Sequence, residues 1–244
     1  MPTEISSIGD LIAALLVKKT TETGAIWYRG QSNTSWKLLP SLLRQQNAIS
    51  ESSLLTRFKQ SAAMLASHKP ESSFDWIFLM QHYGVPTRLL DWTENPLVAT
   101  YFAVEDRTKD EDAAVWLLHP NRLNTHAHIS DKDEADYIPA FDDDELQGYS
   151  TERVRIDKRM SLLPIATIAT RNNSRIQAQL GTFTIHHNEI KPIEEVGDGS
   201  HCEKITIPNK AKDQIRRELS ILGVNRLTLF PELASISETL RELM

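Results

Sequence analysis

The segment 80–105, MQHYGVPTRLLDWTENPLVATYFAVE, constrains this chain most, because it places a dense polar cluster between two short apolar helical patterns. The cluster comprises Gln81, His82, Thr87, Arg88, Asp91, Trp92 and Thr93. Taken singly, Arg88 and Asp91 could form a structural ion pair, and His82 could cap a helix. Seven polar or aromatic residues within thirteen positions instead favour a binding or catalytic site, since such sites usually lie on loops held by rigid elements.

The residues around this cluster predict the order helix, loop, strand, loop, helix. Ser72 and Asp75 have the spacing of a capping box and predict the start of the first helix. Gly84, with a proline two residues later, predicts its end. Residues 87–90 are expected to be a short extended piece. Asn95 suits an N-cap and is followed by a proline suited to the first helical position, so the second helix is expected to begin there.

A second informative stretch is 25–31, AIWYRGQ, whose aromatic and β-branched residues predict a strand. Arg29 follows the aromatic pair, and Gly30 allows a ligand or another backbone to approach closely. The planar guanidinium of arginine can donate two parallel hydrogen bonds to a phosphate or carboxylate. Arg29 therefore suits an anionic ligand, and it equally suits a buried pair with an acid such as Asp91; the two roles are compatible.

Length and composition narrow the class of protein. The 244 residues fit one large domain or one domain with an insertion. The sequence has no long apolar run and its first residues lack the pattern of a signal peptide, so a cytoplasmic protein without a membrane partner is expected. The single cysteine, Cys202, excludes an intrachain disulfide and a cysteine-based metal site. The net charge of −6 argues against bulk electrostatic binding to nucleic acid.

Acidic and basic clusters follow one another in the second half of the chain. Residues 131–145, DKDEADYIPAFDDDE, lack the ligand spacing of a calcium loop, so 129–150 is expected to be an acidic surface insertion. The basic residues Arg153, Arg155, Lys158 and Arg159 then form a patch that could pair with this acidic run or contact a phosphate backbone. No metal site is expected, because the adjacent His186 and His187 would point to opposite sides of a strand.

Hydrophobic periodicity predicts the remaining elements. Helices are expected at 7–19, 51–66, 213–222 and from 231 onward, and strands at 113–119, 162–168, 181–186, 204–207 and 226–230. Strands and helices do not alternate strictly, which favours an α+β fold with a mixed, largely antiparallel sheet and flanking helices. The chain lacks the P-loop, dinucleotide-binding, zinc-protease and nucleophile-elbow motifs, so none of those enzyme classes is supported.

Several of these motifs resemble the FRG domain family. The resemblance rests on WYRG at 27–30, QHYGVPTRLLDW at 81–92, the pattern from Arg175 to 185, and GVNRLTLFPE at 223–232. It covers roughly the whole chain from residue 25 onward and implies a single FRG-type domain over 1–244, with an N-terminal helical segment at 1–24. More distantly, the same motifs resemble ADP-ribosyltransferases, which implies an ADP-ribosyltransferase-like fold.

The resemblance to ADP-ribosyltransferases implies NAD as substrate and a set of site residues. The implied catalytic residues are Arg29, Asp91, Gln179 and Glu232. The implied NAD-binding residues are Tyr28, Arg29, Gly30, Gln31, His82, Tyr83, Thr87, Arg88, Trp92, Thr93 and Tyr101. Gln179 stands near the position where those enzymes carry a catalytic glutamate. A carboxylate would perform that role better than an amide, which keeps Asp91 and Glu232 as alternative catalytic acids.

The family's settings imply a toxin-like ADP-ribosyltransferase of a bacterial phage-defence or toxin–antitoxin system. Its acceptor would be a protein or a nucleic acid such as RNA, and the basic patch would contact the nucleic acid. An antitoxin protein would be a further partner. One alternative is an NAD glycohydrolase or nuclease toxin. Another is a module that binds a nucleotide or nucleic acid without turnover.

Overall fold

The computed structural model describes residues 4–21, 24–44, 49–62, 64–65, 70–108, 110–129, 136–157, 159–168, 174–232 and 235–237. Its strands are β1 (Trp27–Gln31), β2 (Leu89–Thr93), β3 (Ala113–Leu118), β4 (Ile165–Thr167), β5 (Gly181–Ile185) and β6 (Cys202–Ile207). Its helices are α1 (Ile8–Thr21), α2 (Ser41–Arg44), α3 (Glu51–Ala62), α4 (Ser73–His82), α5 (Pro96–Val104), α6 (Pro120–His126), α7 (Thr151–Ile156), α8 (Ser174–Ala178), α9 (Lys212–Ile221) and α10 (Arg226–Leu229). Short 3-10 helices lie at Asp144–Tyr149, Ile193–Glu195 and Asn209–Ala211.

The described strands form one six-stranded sheet in the order β4-β5-β2-β1-β3-β6, and each neighbouring pair is antiparallel. The predicted α+β class with a largely antiparallel sheet is therefore confirmed. Strand β3 is buried along its whole length, as its uniformly apolar sequence predicts. None of the described helices has the length and apolar content needed to span a bilayer.

Helices cover one face of the sheet and explain a glycine in β1. Helices α1, α5 and α9 pack their apolar residues against β1, β3 and β6 in one core cluster. A β-carbon at Gly30 would lie 1.9 Å from the carbonyl oxygen of Ala99 and 2.5 Å from the amide nitrogen of Ala103. Glycine at this position therefore allows α5 to approach β1 closely, which fixes the strand on which Arg29 lies.

The predicted helix boundaries around the polar cluster are confirmed, whereas the extended piece predicted at 87–90 is found as β2 at Leu89–Thr93. Ser72 accepts a hydrogen bond from the backbone of Asp75, whose carboxylate in turn accepts from the backbone of Ser72, as in a capping box. Gly84 follows the end of α4 with φ of +75°. The Asn95 side chain accepts from the backbone N–H of Leu97 at 2.9 Å and starts α5. The strand itself extends to residue 93, so the second half of the cluster lies on β2 rather than in a loop.

The predicted strand at 226–230 is wrong, because Arg226–Leu229 is the short helix α10. Its residues alternate in polarity as a strand would, but Asn225 caps the backbone N–H of Thr228, and the Thr228 hydroxyl accepts from the backbone of Asn225. This reciprocal cap favours one helical turn over an extended conformation. Of the predicted terminal helix, residues 233–234 and 238–244 lie outside the described residues, and Ile236 is 42% exposed.

Residues 136–150 of the predicted acidic surface insertion carry a buried apolar side. Phe141, Leu146 and Tyr149 are buried in a core cluster, where Phe141 packs against Phe74 and Phe183. The apolar residues between the acidic ones thus anchor the segment to the sheet, and residues 130–135 lie outside the described part of the chain. In the basic patch Arg153, Arg155 and Arg159 are exposed, while Lys158 falls outside the described residues.

Candidate functional site

A cleft of about 310 Å³ lies over strands β1, β2 and β5, with helices α4, α5 and α8 beside it. Strand β1 contributes residues 28–31, β2 contributes residues 91–93, and β5 contributes Gly181 and Phe183. The volume lies at the lower end of the range for small-molecule sites. Since β2 pairs with both β1 and β5, sheet pairing alone brings these three distant parts of the sequence together.

Arg29 lies on β1 and is half-buried at this cleft. One terminal nitrogen, Nη1, donates to the backbone carbonyl of Asp91 at 2.5 Å. Its Nε is buried and has no hydrogen-bond partner among the described residues. Burial lowers the pKa of the guanidinium, the Asp91 carboxylate opposes that shift, and the charge of Arg44 adds to it. Arginine remains cationic at neutral pH even so, and Arg29 therefore keeps a donor for an anionic ligand.

A chain of hydrogen bonds orients the Asp91 carboxylate. The backbone N–H of Leu89 donates to Thr87 Oγ1 at 3.1 Å, and the Thr87 hydroxyl donates to Gln81 Oε1 at 2.5 Å. The Gln81 amide nitrogen then donates to Asp91 Oδ2 at 2.9 Å. Each group thus has a single consistent donor or acceptor role, which determines the orientation of the Gln81 side-chain amide. The chain holds an exposed, negatively charged carboxylate at the cleft.

The rest of the lining is cationic and aromatic. Arg44 of α2 and Arg175 of α8 reach the cleft beside Arg29, whereas Asp91 is the only carboxylate among the lining residues that the structure describes. The aromatic side chains are Tyr28, Trp36, Phe78, Trp92, Phe102 and Phe183. Guanidinium groups bind phosphate, and aromatic faces stack on planar rings. The lining therefore suits an anion that carries a flat ring.

Gln179 and Glu232 occupy different positions at this site. Gln179 lines the cleft, where its side-chain amide donates to the backbone carbonyl of Leu229 at 3.1 Å. Glu232 lies 3.6 Å from Nε2 of His82, which is itself a lining residue. Burial lowers the pKa of His82, the charge of Arg175 lowers it further, and Glu232 opposes the shift. His82 and Asp91 thus both line the cleft, and Glu232 reaches it only through its contact with His82.

Arg88, which the sequence predicted as a ligand-binding residue, lies away from the cleft in the protein interior. It is 3% exposed, and its Nε donates to Glu51 Oε2 at 2.8 Å. Its two terminal nitrogens donate to the backbone carbonyls of His186 and Tyr149, both at 2.8 Å. Internal partners thus satisfy the guanidinium, so its role is structural. Nothing in the sequence of residues 51–66 indicated a functional role, so Glu51 was not predicted to pair with Arg88.

Three further predicted NAD-binding residues do not line the cleft. Tyr83 is 68% exposed beyond the end of α4. The Tyr101 hydroxyl donates to the Glu105 carboxylate, four residues later in the chain, at 3.2 Å and does not reach the cleft. Thr87 is fully buried and acts on the site only through Gln81. Apart from Glu232, the other predicted residues line the cleft: Tyr28, Arg29, Gly30, Gln31, His82, Asp91, Trp92, Thr93 and Gln179.

Sequence reasoning missed several lining residues, notably Trp36, Arg44, Phe78 and Phe102. Phe78 and Phe102 lie on helices at positions that read as core, and helical periodicity does not distinguish a core contact from a cleft wall. Arg44 belongs to a four-residue helix and carried no signal of its own.

Comparison with known proteins gives one match. The family model of the FRG domain matches residues 24–112, a range that contains β1, α4, β2 and α5 and hence two of the three strands under the cleft. No curated protein and no solved structure matches the chain.

Proposed function

We propose that this chain, whose residues 24–112 match the family model of the FRG domain, is an ADP-ribosyltransferase that uses NAD in the cleft described above. The observation that carries the proposal is the convergence of three motifs on one cleft: the aromatic-Arg-Gly strand, the Asp-Trp-Thr strand, and the strand after Gln179. These are the three parts that the resemblance to ADP-ribosyltransferases assigns to NAD binding and cleavage.

The lining supports a dinucleotide as ligand. The pyrophosphate would lie against Arg29, with Arg44 and Arg175 close enough to share its charge. The nicotinamide ring would stack against the aromatic side chains that line the cleft. With a volume of about 310 Å³, the cleft would enclose the nicotinamide ribose while the adenosine half extends across the rim.

The proposed reaction breaks the bond between the ribose C1′ and the nicotinamide nitrogen. The bonding electron pair leaves with nicotinamide, and the ribose carbon becomes an oxocarbenium-like centre. Asp91, held by Gln81, accepts a hydrogen bond from a ribose hydroxyl and stabilises this positive charge. A nucleophile of the acceptor then attacks C1′ and loses its proton. The His82–Glu232 pair, with the pKa of His82 lowered by burial, suits that proton.

The acceptor would be a macromolecule, and the setting a bacterial toxin–antitoxin or phage-defence system. The exposed arginines Arg153, Arg155 and Arg159 support a nucleic-acid acceptor such as RNA, since arginine neutralises phosphates. Expression of the protein without a partner should then arrest growth, and Arg29→Ala should relieve the arrest.

The experiment is incubation of the purified protein with labelled NAD and total cell extract, followed by separate nuclease and protease digestion. We expect transfer of label, and a decrease of roughly 10²–10³-fold for Arg29→Ala and Asp91→Asn, the size of effect seen when one preorganised charge-stabilising group is removed. Arg217→Ala, at an exposed position on α9, is the matched control and should retain full activity. Full activity in a folded Arg29→Ala variant would contradict the proposal.

One observation favours a second candidate, a module that binds nucleotides without turnover. At Gln179 an amide stands where a catalytic carboxylate is expected, and its nitrogen already donates to Leu229. An amide cannot act as a general base. Binding of NAD to the purified protein without release of nicotinamide, in the presence of cell extract, would establish this candidate in place of the enzyme.

A further inference from the structure

A group of possible metal ligands lies outside the cleft. His126, Asp198 and His201 each offer one ligand atom, and these atoms all lie within 4.8 Å of one another. His126 ends α6, whereas Asp198 and His201 belong to the turn that leads into β6. None of the three lines the cleft. Spacing along the chain does not reveal this group, because 72 positions separate His126 from Asp198.

His201 is already arranged as a ligand. It is fully buried, and its Nε2 lies 2.8 Å from the backbone carbonyl of Ile193. A carbonyl can only accept, so Nε2 carries the proton and Nδ1 presents a lone pair. Nδ1 is buried and has no hydrogen-bond partner among the described residues. A histidine bound to a metal through one nitrogen while the other donates to a carbonyl is the usual arrangement in metal sites.

The buried Nδ1 of His201 points to a missing partner. It has no hydrogen-bond partner among the described residues. An unpartnered buried nitrogen costs folding free energy, and a metal ion would satisfy it.

The other two ligands are close enough to complete the group. Nε2 of His126 lies 3.6 Å from Oδ1 of Asp198. The backbone N–H of Ser200 donates to the same carboxylate at 3.0 Å and orients it. Gly197, with φ of +57°, has no side chain where the His126 ring packs; a β-carbon there would lie 2.2 Å from the ring. The glycine thus permits the ring to lie against the turn that carries the other ligands.

We propose that His126, Asp198 and His201 form a zinc-binding site. Bonds of 2.0–2.1 Å to a tetrahedral Zn²⁺ hold its ligands roughly 3.3–3.5 Å apart, which is near the His126–Asp198 separation. The carboxylate lies on an exposed turn and can move the remaining distance. Two imidazoles and one carboxylate suit this borderline ion, and water would take the fourth position.

The ion would join two parts of the chain that are distant in the sequence. It would link the end of α6 to the turn before β6, at the edge of the sheet farthest from β4. Because the ion would bind the folded protein, it should raise the midpoint of thermal unfolding. This site does not depend on the NAD chemistry proposed above, and either can fail without the other.

The test is calorimetric titration of the untagged, chelator-treated 244-residue chain with ZnCl₂. We expect one ion per chain, and binding weakened at least roughly 10-fold in Asp198→Asn and His126→Gln, since even the outer partners of a metal site are worth 10–100-fold. Asp198 is exposed, so its variant should fold normally. His82→Gln removes another histidine–carboxylate pair at a similar separation, and it is the matched control that should bind zinc as the wild type does.

X-ray absorption of the zinc complex identifies the ligands. Nitrogen and oxygen neighbours at about 2.0–2.1 Å, including two imidazoles, would support the assignment. A sulfur neighbour would indicate Cys202 and overturn the ligand set. Failure to bind one equivalent, undiminished binding in Asp198→Asn and His126→Gln, or loss of binding in His82→Gln would each overturn the proposal.

Discussion

Replacing Glu51 with alanine should destabilise the protein strongly without touching the cleft. Glu51 is buried, and its carboxylate accepts from the Arg88 side chain at 2.8 Å and from the Arg88 backbone N–H at 3.1 Å. The Thr151 hydroxyl donates to the same carboxylate at 3.2 Å. Glu51→Ala therefore leaves a buried cation without its counter-charge and three donors without their acceptor.

Two lines of reasoning give the same order of magnitude for this loss. Breaking a buried ion pair by removing one partner costs about 3–5 kcal/mol. Counted by group, three buried donors left unsatisfied at roughly 1–3 kcal/mol each give a range that includes this value. For a chain of this size, about 3–5 kcal/mol corresponds to a fall of roughly 6–20 °C in the unfolding midpoint.

The assay is urea unfolding monitored by tryptophan fluorescence, with the free energy of unfolding compared between variants. Glu189→Ala, at an exposed position, is the matched control and should change stability by less than about 0.5 kcal/mol. Replacing both partners with apolar residues, as in Glu51→Leu with Arg88→Met, should cost less than Glu51→Ala alone. A loss below about 1 kcal/mol in Glu51→Ala would refute the view that Arg88 depends on this carboxylate.

Three further predictions follow from the same structure. Gly30→Ala should lower stability by roughly 1–3 kcal/mol or more in urea unfolding, because its β-carbon would lie 1.9 Å from the Ala99 carbonyl oxygen and α5 would have to move. Burial lowers the pKa of His186 from 6.5 to about 4, so the unfolded state binds more protons between these values. The contribution of His186 to the free energy of unfolding should be complete above pH 6.5 and should fall by up to about 3 kcal/mol as the pH drops toward 4. Urea unfolding curves measured across this pH range should show a weaker dependence in His186→Gln. Asn95→Ala removes the cap on Leu97 and should cost about 1 kcal/mol by thermal unfolding.

Local signals in the sequence were sufficient to predict the frame of the site. The capping box at Ser72, the glycine at 84 and the Asn95 cap each depend on residues within one turn, so the boundaries of α4 and α5 could be read directly. The burial of β3 followed from an unbroken apolar run. The residues alone raised Asp91 as a possible partner of Arg29, but the strand pairing that brings both to one cleft could not be predicted, since register between distant strands has no local signature.

Errors arose where two local patterns compete or where tertiary contacts decide. The segment after Asn225 has both a strand-like alternation and a helix cap, and the cap prevails because it satisfies backbone donors at once. In the acidic stretch, charge suggested solvation, yet three spaced apolar residues anchor it to the core. The group formed by His126, Asp198 and His201 exists only after folding, and no spacing rule would collect it.

The two arginines that sequence reasoning treated alike show what decides between structure and function. Arg88 meets an acid 37 positions away, and its Nε and both terminal nitrogens find partners in the interior. Arg29 lies beside the cleft with one terminal nitrogen on a carbonyl and its buried Nε without a partner among the described residues. An unsatisfied buried donor costs roughly 1–3 kcal/mol. Arg29 therefore remains available to bind a ligand, whereas Arg88 does not. The two arginines differ because Glu51 lies beside Arg88 in the fold.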